Sequence, residues 1–295
     1  MKRKRSGILG KVLITLCIVI AIFAGGYFLL DKAIVPKYFG QYGINSIPDL
    51  AGVVTSLYKN PNEKKLITNG YTQTDLSNSV TKLQAADYKI DNDGKITDKN
   101  NFKGHGKVEL TDREFAAVCN KLLEDGALAD ALPNLNYLNT MQISLLQVII
   151  TPNEDSFDGD GYNAANISFI IKINTVDIRA QIATQMQTPS YLLNMIIPDD
   201  LYFTVSYDFD LTKTENERIT QSTIAINGRT AKQSELLINL LIGFIFPEED
   251  EMNYEKFTNS IGEIALKGID AIGEFKFIKN VDGKNQNGIL INNII

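Results

Sequence analysis

The tetrapeptide Ser79-Val80-Thr81-Lys82 has the S-x-x-K spacing that penicillin-binding proteins use to activate a serine nucleophile. On a helix, a lysine three residues after a serine lies one turn further along, within reach of the hydroxyl proton. The S-x-N and K-T-G words of those enzymes do not occur in the sequence, nor do G-x-S-x-G and H-E-x-x-H. We interpret the match as chance. No catalytic residue is predicted, and the chain is not expected to be an enzyme.

Two acidic stretches have the residue types of a calcium loop but miss part of its ligand set. In the first, Asp91 and Asp93 fit an EF-type loop, whereas Lys89 and Asn100 stand where its first and twelfth ligands belong. The second stretch, Asp155 to Asp160, lacks the third ligand of such a loop. Both are predicted to be turns, so neither a metal site nor a cofactor is expected. Weak, irregular calcium binding by the second stretch stays the alternative.

The histidine and cysteine content leaves little further chemistry. His105 is the only histidine and lies between two glycines, which favours a surface loop over a zinc site or a Ser-His-Asp triad. Cys119 occupies an apolar position of a predicted helix and is interpreted as a small core residue. The other cysteine, Cys17, lies in an N-terminal apolar run, so the rest of the chain cannot form an internal disulfide.

That apolar run extends from Val12 to Leu30 without a charge and follows five basic residues. Nineteen helical residues rise roughly 28 Å, close to the hydrocarbon thickness of a bilayer. The excess of Lys and Arg before the run predicts a cytoplasmic basic tail over residues 1–11 and an exported chain after the run. We therefore predict a retained, single-pass transmembrane helix over residues 12–30 in the cell membrane. Cleavage at Ala24-Gly25-Gly26, as in a signal peptide, is the alternative.

The exported part of the chain is acidic. The whole chain carries −6 and residues 1–11 contribute +5, which leaves −11 for residues 12–295. Nucleic acid and anionic headgroups repel such a surface, so a nucleic-acid partner is excluded. An exported domain of this size without disulfides is typical of a Gram-positive cell envelope.

Three segments are predicted beyond the anchor. Residues 31–45 combine proline and glycine with aromatics and predict a juxtamembrane linker. Residues 46–104 predict a small, mainly helical subdomain, with one helix capped by Ser46 and another over residues 74–86. Residues 105–295 predict a larger α+β exterior domain.

The exterior domain begins with a capping box, Thr111-x-x-Glu114, in which each side chain satisfies a backbone N–H of the other residue. Alternating or continuous apolar residues then predict strands over 143–150, 167–173, 201–211, 219–226, 275–278 and 289–291. Helices are predicted after Thr175, from Thr230 to about Phe246, and from Tyr254 to Ile272. The fold class is α+β, with a long antiparallel curved sheet packed with amphipathic helices.

The segment Leu236–Phe246 is apolar almost all round and too short to span a bilayer. Such a helix is buried on most sides as core, lies against an apolar ligand or membrane, or forms a partner interface. The predicted apolar ligand-binding residues are Leu237, Leu240, Leu241 and Phe244.

The order of these elements resembles that of single-pass, membrane-anchored extracytoplasmic proteins of Gram-positive bacteria. The shared features are the anchor, the capped helix at Thr111-Asp112-Arg113-Glu114-Phe115, Ile197-Pro198 before a long strand, and an Asn227-Gly228 turn. Proteins of this group resemble the tubular lipid-binding (TULIP-like) fold, in which a curved sheet wraps a helix around an apolar groove. The resemblance covers roughly residues 107–295 and implies lipid binding.

Two functions are therefore expected to compete. The first is a membrane-anchored extracytoplasmic, non-catalytic binding module for lipid or another apolar ligand. The alternative is a protein-interaction or scaffold component of the cell envelope. A continuous apolar groove favours the first, whereas a groove filled by the chain's own side chains favours the second.

Overall fold

A computed structural model of the chain describes ten ranges of residues: 27, 30–40, 45–58, 63–97, 104–124, 142–185, 198–214, 217–228, 274–283 and 285–293, with residues 28–29 among the gaps. The chain divides into two compact units, Met1–Thr55 and Ser56–Ile295. Within the described ranges, no helix combines the length and apolarity needed to cross a membrane. Nearly all of the predicted anchor lies outside those ranges, and its prediction stands untested.

The first unit contains short helices in the part that the structure describes, and the linker predicted over residues 31–45 stays a prediction. A π-helical turn, Leu30–Ile34, continues into α1 (Val35–Phe39), and α2 (Ile47–Tyr58) follows. The predicted cap of α2 is confirmed, because the hydroxyl of Ser46 accepts the N–H of Asp49 at 3.2 Å. The N-terminus of α2 is thereby fixed from its own flanking sequence.

The second unit begins with two helices, α3 (Glu63–Leu66) and α4 (Gln73–Ala85). The range predicted for α4 is confirmed within one residue. Its start carries a capping box that the sequence analysis missed, formed by Thr72 and Asp75. Ile90 and Ile96 then pair across a tight turn at Gly94, as predicted for this stretch.

A three-stranded antiparallel sheet joins distant parts of the chain. It consists of β1 (Gly106–Thr111), β7 (Gly288–Asn293) and β6 (Phe275–Ile278), in the order β1–β7–β6. Helix α5 (Asp112–Glu124) follows β1 directly and packs against α4. The predicted boundary at residue 104 stays a prediction, although α4 and α5 lie in the same compact unit.

A second antiparallel sheet has four strands in the order β2–β3–β4–β5. They are β2 (Ile143–Pro152), β3 (Ala164–Asn174), β4 (Asp200–Asp210) and β5 (Ile219–Ile226). The α+β class is confirmed, while the single long sheet of the prediction is found as two sheets. The β5 strand ends at the predicted Asn227-Gly228 turn, where both residues adopt positive φ of 51° and 70°.

One face of the four-stranded sheet, named here the inner face, is mostly apolar and is buried over most of its length, with Ile143, Ile171 and Ile173 half-buried at one end. Its buried members, all at most 7% exposed, are Leu145, Val148, Ile150, Ala165, Ile167, Phe169, Leu201, Phe203, Val205, Tyr207, Phe209, Ile224 and Ile226. The alternation arises because successive strand residues point to opposite faces. The inner face is the main core of the described chain.

The two sheets meet at the loop between β2 and β3. Tyr162 pairs with Phe277 in β6, through hydrogen bonds of 2.7 and 3.0 Å between their backbones. Gly161 permits this approach, since a Cβ there would lie 2.8 Å from the carbonyl oxygen of Phe277. A loop of the second sheet therefore covers part of the β6 edge.

Helix α6 (Val176–Gln185) follows β3 and begins directly after Thr175, as predicted. The hydroxyl of Thr175 donates to the carbonyl oxygens of Pro198 and Asp199, and the side chain of Asn174 accepts the N–H of Val176 at 3.1 Å. Thr175 therefore joins the start of α6 to the start of β4. The helices predicted from Thr230 and from Tyr254 lie outside the described residues.

Candidate functional site

The polar residues of the described chain concentrate where α4 meets α5. We name this region the polar junction; it comprises Asn69, Thr72, Asp75, Lys82, Thr111, Asp112, Arg113 and Glu114. Both helices begin with a capping box, so each brings a carboxylate and a hydroxyl to its own first turn. The packing of α4 on α5 then brings the two sets together.

The predicted box at the start of α5 is confirmed. Thr111 Oγ1 accepts the N–H of Glu114 at 3.1 Å, and Glu114 Oε2 accepts the N–H of Thr111 at 3.0 Å. Both residues are 4% exposed. Lys82 of α4 donates to the same Glu114 oxygen at 2.9 Å and to the carbonyl oxygen of Glu109 at 3.0 Å. A single buried carboxylate thus binds the helix start and a cation from the neighbouring helix.

These contacts give Ser79 and Lys82, the serine and lysine of the S-x-x-K motif, separate partners. Lys82 is bound to Glu114 and Glu109, while the hydroxyl of the buried Ser79 donates to the carbonyl oxygen of Leu76 at 2.7 Å. A serine nucleophile needs its hydroxyl aimed at a base. The observed bonds instead serve the backbone of α4 and the α4–α5 contact.

Arg113 forms the outer half of the polar junction. Its Nη2 lies 2.7 Å from Asp75 Oδ2 and its Nη1 lies 3.5 Å from Asn69 Oδ1, while Nε is buried without a hydrogen-bond partner in the described part of the chain. Burial acts to raise the pKa of Asp75, but hydrogen bonds from Thr72 and the Arg113 guanidinium outweigh it and hold that pKa below its ordinary value. Asp75 is therefore an ionised partner at neutral pH.

Asp112, beside Arg113, differs from Asp75 because its pKa is raised and not lowered. Burial raises the pKa of this carboxyl to about 6, against the lowering effects of the Arg113 N–H at 2.8 Å and of the guanidinium charge. The nearby charge of Asp75 adds to the rise. The N–H of Asp112 also donates to the carbonyl oxygen of Asn287 at 2.8 Å. The polar junction thus holds one carboxyl that titrates close to neutral pH.

The acidic stretches form turns, as predicted. Asp91 Oδ1 accepts the N–H groups of Asp93 and Lys95 at 3.0 and 2.8 Å, and Asp158 binds Lys276 and Asn163 at 2.7 and 2.9 Å. Among the described residues, no group of three or more acidic, histidine or cysteine side chains could hold a metal ion. The described carboxylates of these stretches hold backbone and lysine groups.

His105 occupies the exposed position predicted for it, whereas Cys119, predicted as a core residue, is half-buried. His105 is exposed, and its N–H donates to the carbonyl oxygen of Ala86 at 2.7 Å. Burial of the Cys119 thiol raises its pKa to about 12, which removes the thiolate needed for reactivity at neutral pH.

The predicted apolar ligand-binding residues Leu237, Leu240, Leu241 and Phe244 lie outside the described residues, as does the whole segment Leu236–Phe246. The described large hydrophobic side chains that stay exposed are Tyr27, Leu30, Ile149, Phe157 and Val176. None of the five belongs to the inner face of the four-stranded sheet, which is closed over the strands described.

Two polar residues on or near β2 have roles that the sequence analysis missed. Gln147 is 2% exposed, and its Oε1 accepts the N–H groups of Thr68 and Asn69 at 3.1 and 3.4 Å. Asn120 of α5 accepts the N–H of Leu145 at 2.8 Å and so caps the open edge of β2. A buried glutamine inside an apolar run is the signal that could have identified the first of these contacts.

Comparison of the chain with protein-family models, with curated proteins and with solved structures gives no match. The function must therefore be argued from the residues and their geometry.

Proposed function

We propose that the protein is a membrane-anchored extracytoplasmic binding module without catalytic activity, and that its ligand is a lipid or another apolar molecule. The anchor is the uncharged run over residues 12–30, and the basic tail before it orients the chain with its C-terminal domain outside the cell. This placement implies two partners. The chain spans the bilayer as an integral membrane protein, and its ligand is a lipid of the cell envelope.

The observation that carries the ligand proposal is the inner face of the four-stranded sheet. It extends over strands of eight to eleven residues and its side chains are apolar almost throughout. A lipid acyl chain needs a long apolar wall of this kind, since its burial is favourable in proportion to the apolar area removed from water. The segment Leu236–Phe246 adds a second stretch of apolar residues in the sequence.

The absence of catalysis is supported by how the described acids and bases are used. In the polar junction, Lys82 and Glu114 bind each other and the backbone, and Arg113 binds Asp75. Burial raises the pKa of Asp112 to about 6, and the described residues place no histidine or thiolate beside it. General acid–base chemistry would need such a partner in reach of a substrate.

Native mass spectrometry of the full-length chain in detergent, with extraction of co-purifying lipid, tests this proposal. Wild type should retain lipid, and Leu240→Ala or Leu241→Ala should lower the lipid-to-protein ratio while the chain stays folded. Leu110→Ala, at a fully buried position of the three-stranded sheet, is the matched control. It should lower stability through a cavity and leave that ratio unchanged. Wild type without lipid, together with two equally severe losses of stability, would contradict the proposal.

A scaffold component of the cell envelope is the second candidate, and one observation favours it. The inner-face side chains named above are already buried within the chain, at 0–7% exposure, so a lipid could line this wall only if the part of the chain that covers it moved away. A sheet closed by its own chain is a core, which leaves a surface for protein contact as the functional part. Lipid-free wild type in the experiment above would give this candidate the lead.

A further inference from the structure

Exposed apolar side chains in the described chain cluster at the start of the first unit. Tyr27 is 51% exposed and Leu30 is 47% exposed, and they lie three positions apart in the sequence. Both belong to the end of the apolar run over residues 12–30. Large apolar side chains exposed to water are unfavourable, so two of them three positions apart in the sequence indicate a contact surface.

The helical segment that follows has two unlike faces. Leu30, Ala33 and Lys37 are exposed and lie at helical spacing of three and four residues. Asp31 and Val35, spaced by four, are 7% and 4% exposed. The segment therefore turns one side into the first unit and presents the other, apolar at its start and basic at its end, to its surroundings.

The inward side is tied to the next helix by Asp31. Its Oδ1 accepts the N–H of Ile47 at 2.6 Å, and its Oδ2 lies 3.0 Å from the Nζ of Lys32. The Ile47 N–H and then the Lys32 ammonium hold the pKa of Asp31 below its ordinary value. A carboxylate at a helix N-terminus also complements the partial positive charge there. The start of α2 is thus fixed to the residue directly after the apolar run.

We propose that Tyr27, Leu30, Ala33 and Lys37 form a membrane-contact surface, the collar, which takes the phospholipid headgroup layer, and that Asp31 holds α2 on it. The inference rests on the proposed function, because the anchor brings the collar to the bilayer. Tyrosine is enriched at headgroup depth, and lysines there reach lipid phosphates with their ammonium groups. The apolar run, which ends in the collar, argues for lipid as the occupant.

The test uses the full chain with Cys17→Ser and Cys119→Ser, reconstituted in vesicles of phosphatidylglycerol and phosphatidylethanolamine. A fluorescent label is attached at Leu30→Cys, at Ala33→Cys or, as the control, at Phe157→Cys, where the native side chain is 57% exposed. The collar labels should be quenched by a spin label on the lipid headgroup and be severalfold less accessible to aqueous iodide than the control label. Collar labels as accessible to iodide as the control would overturn the collar.

Carbonate extraction of the same vesicles separates the two proposals. A chain that resists extraction but has iodide-accessible collar labels contradicts the collar alone, whereas a chain released by carbonate contradicts the anchor and the collar together. The hydrogen bond from the Ile47 N–H to Asp31 is tested separately, by hydrogen exchange of the peptide that contains Ile47. Asp31→Ala should speed exchange there, and Asp31→Asn, which keeps an acceptor oxygen, should speed it less. Unchanged exchange in Asp31→Ala would overturn the proposal that Asp31 holds α2.

Discussion

The two capping boxes of the second unit share a motif and differ in how deeply they are buried. Thr72 and Asp75 begin α4 at the protein surface, and Arg113 reaches Asp75 from α5. Thr111 and Glu114 begin α5 in the interior, where Lys82 reaches Glu114 from α4. Each helix thus supplies the cationic side chain that pairs with the carboxylate in the capping box of the other helix.

The difference teaches that the motif sets where a helix begins, while burial sets how much the box matters. An exposed box competes with water for its hydrogen bonds, so its loss is cheap. A buried carboxylate that loses a partner stays desolvated and uncompensated, so its loss is expensive. The following variants probe this contrast, from the largest expected effect to the smallest.

Lys82→Met should have the largest effect. It leaves the carboxylate of Glu114 buried without its cation, at a cost of about 2–4 kcal/mol, below the range for fully buried pairs because Lys82 is partly exposed. Denaturant unfolding of the purified chain in detergent measures it. The double variant Lys82→Met/Glu114→Gln should recover part of the loss, since no charge is then buried. A double variant less stable than Lys82→Met would refute the assignment.

Thr111→Ala should come next, at about 1–2 kcal/mol, near the top of the range for helix caps because the position is buried. The hydroxyl that accepts the Glu114 N–H is removed and that donor stays without a partner inside the protein. Thermal unfolding checks it. A melting temperature equal to that of wild type would show that Thr111 does not cap α5.

Thr72→Ala, the matched substitution in the exposed box, should cost less, about 0.5–1 kcal/mol, because water can replace the lost acceptor. The same unfolding measurement applies. If Thr72→Ala proves as costly as Thr111→Ala, burial does not explain the contrast between the boxes.

Asp112→Asn stands apart from these three variants, because its effect on stability depends on pH. The raised pKa of about 6, against an ordinary 3.8, means that the folded chain holds this proton more tightly. That contribution to stability is complete below pH 4 and is lost as pH rises through 6. Asparagine keeps an acceptor for the Arg113 N–H, so its stability relative to wild type should increase from pH 4 to pH 7. A difference that stays constant over this window would contradict a raised pKa.

Local pattern was sufficient for most described elements. Strand β5 was predicted to the residue and β4 within one, because alternation of apolar and polar residues follows the pleat directly. The box at Thr111 was predicted because both of its partners lie within four residues.

The parts that failed depend on contacts between distant residues. The sheet divides in two because β1 pairs with β7, whose residues lie more than 170 positions further along the chain. Gln147 takes its partners from Thr68 and Asn69, almost 80 positions away. No local periodicity encodes such a register. The four predicted ligand-binding leucine and phenylalanine positions stay a prediction because they lie outside the described residues.

The central claim, an exterior module on a membrane anchor, is tested most directly by fusing a reporter that is active only in the cytoplasm after Ile295. The charge asymmetry across residues 12–30 predicts that the reporter is silent while the fusion protein remains in the membrane fraction. An active reporter would place the C-terminal domain in the cytoplasm and contradict the orientation on which the proposed function depends.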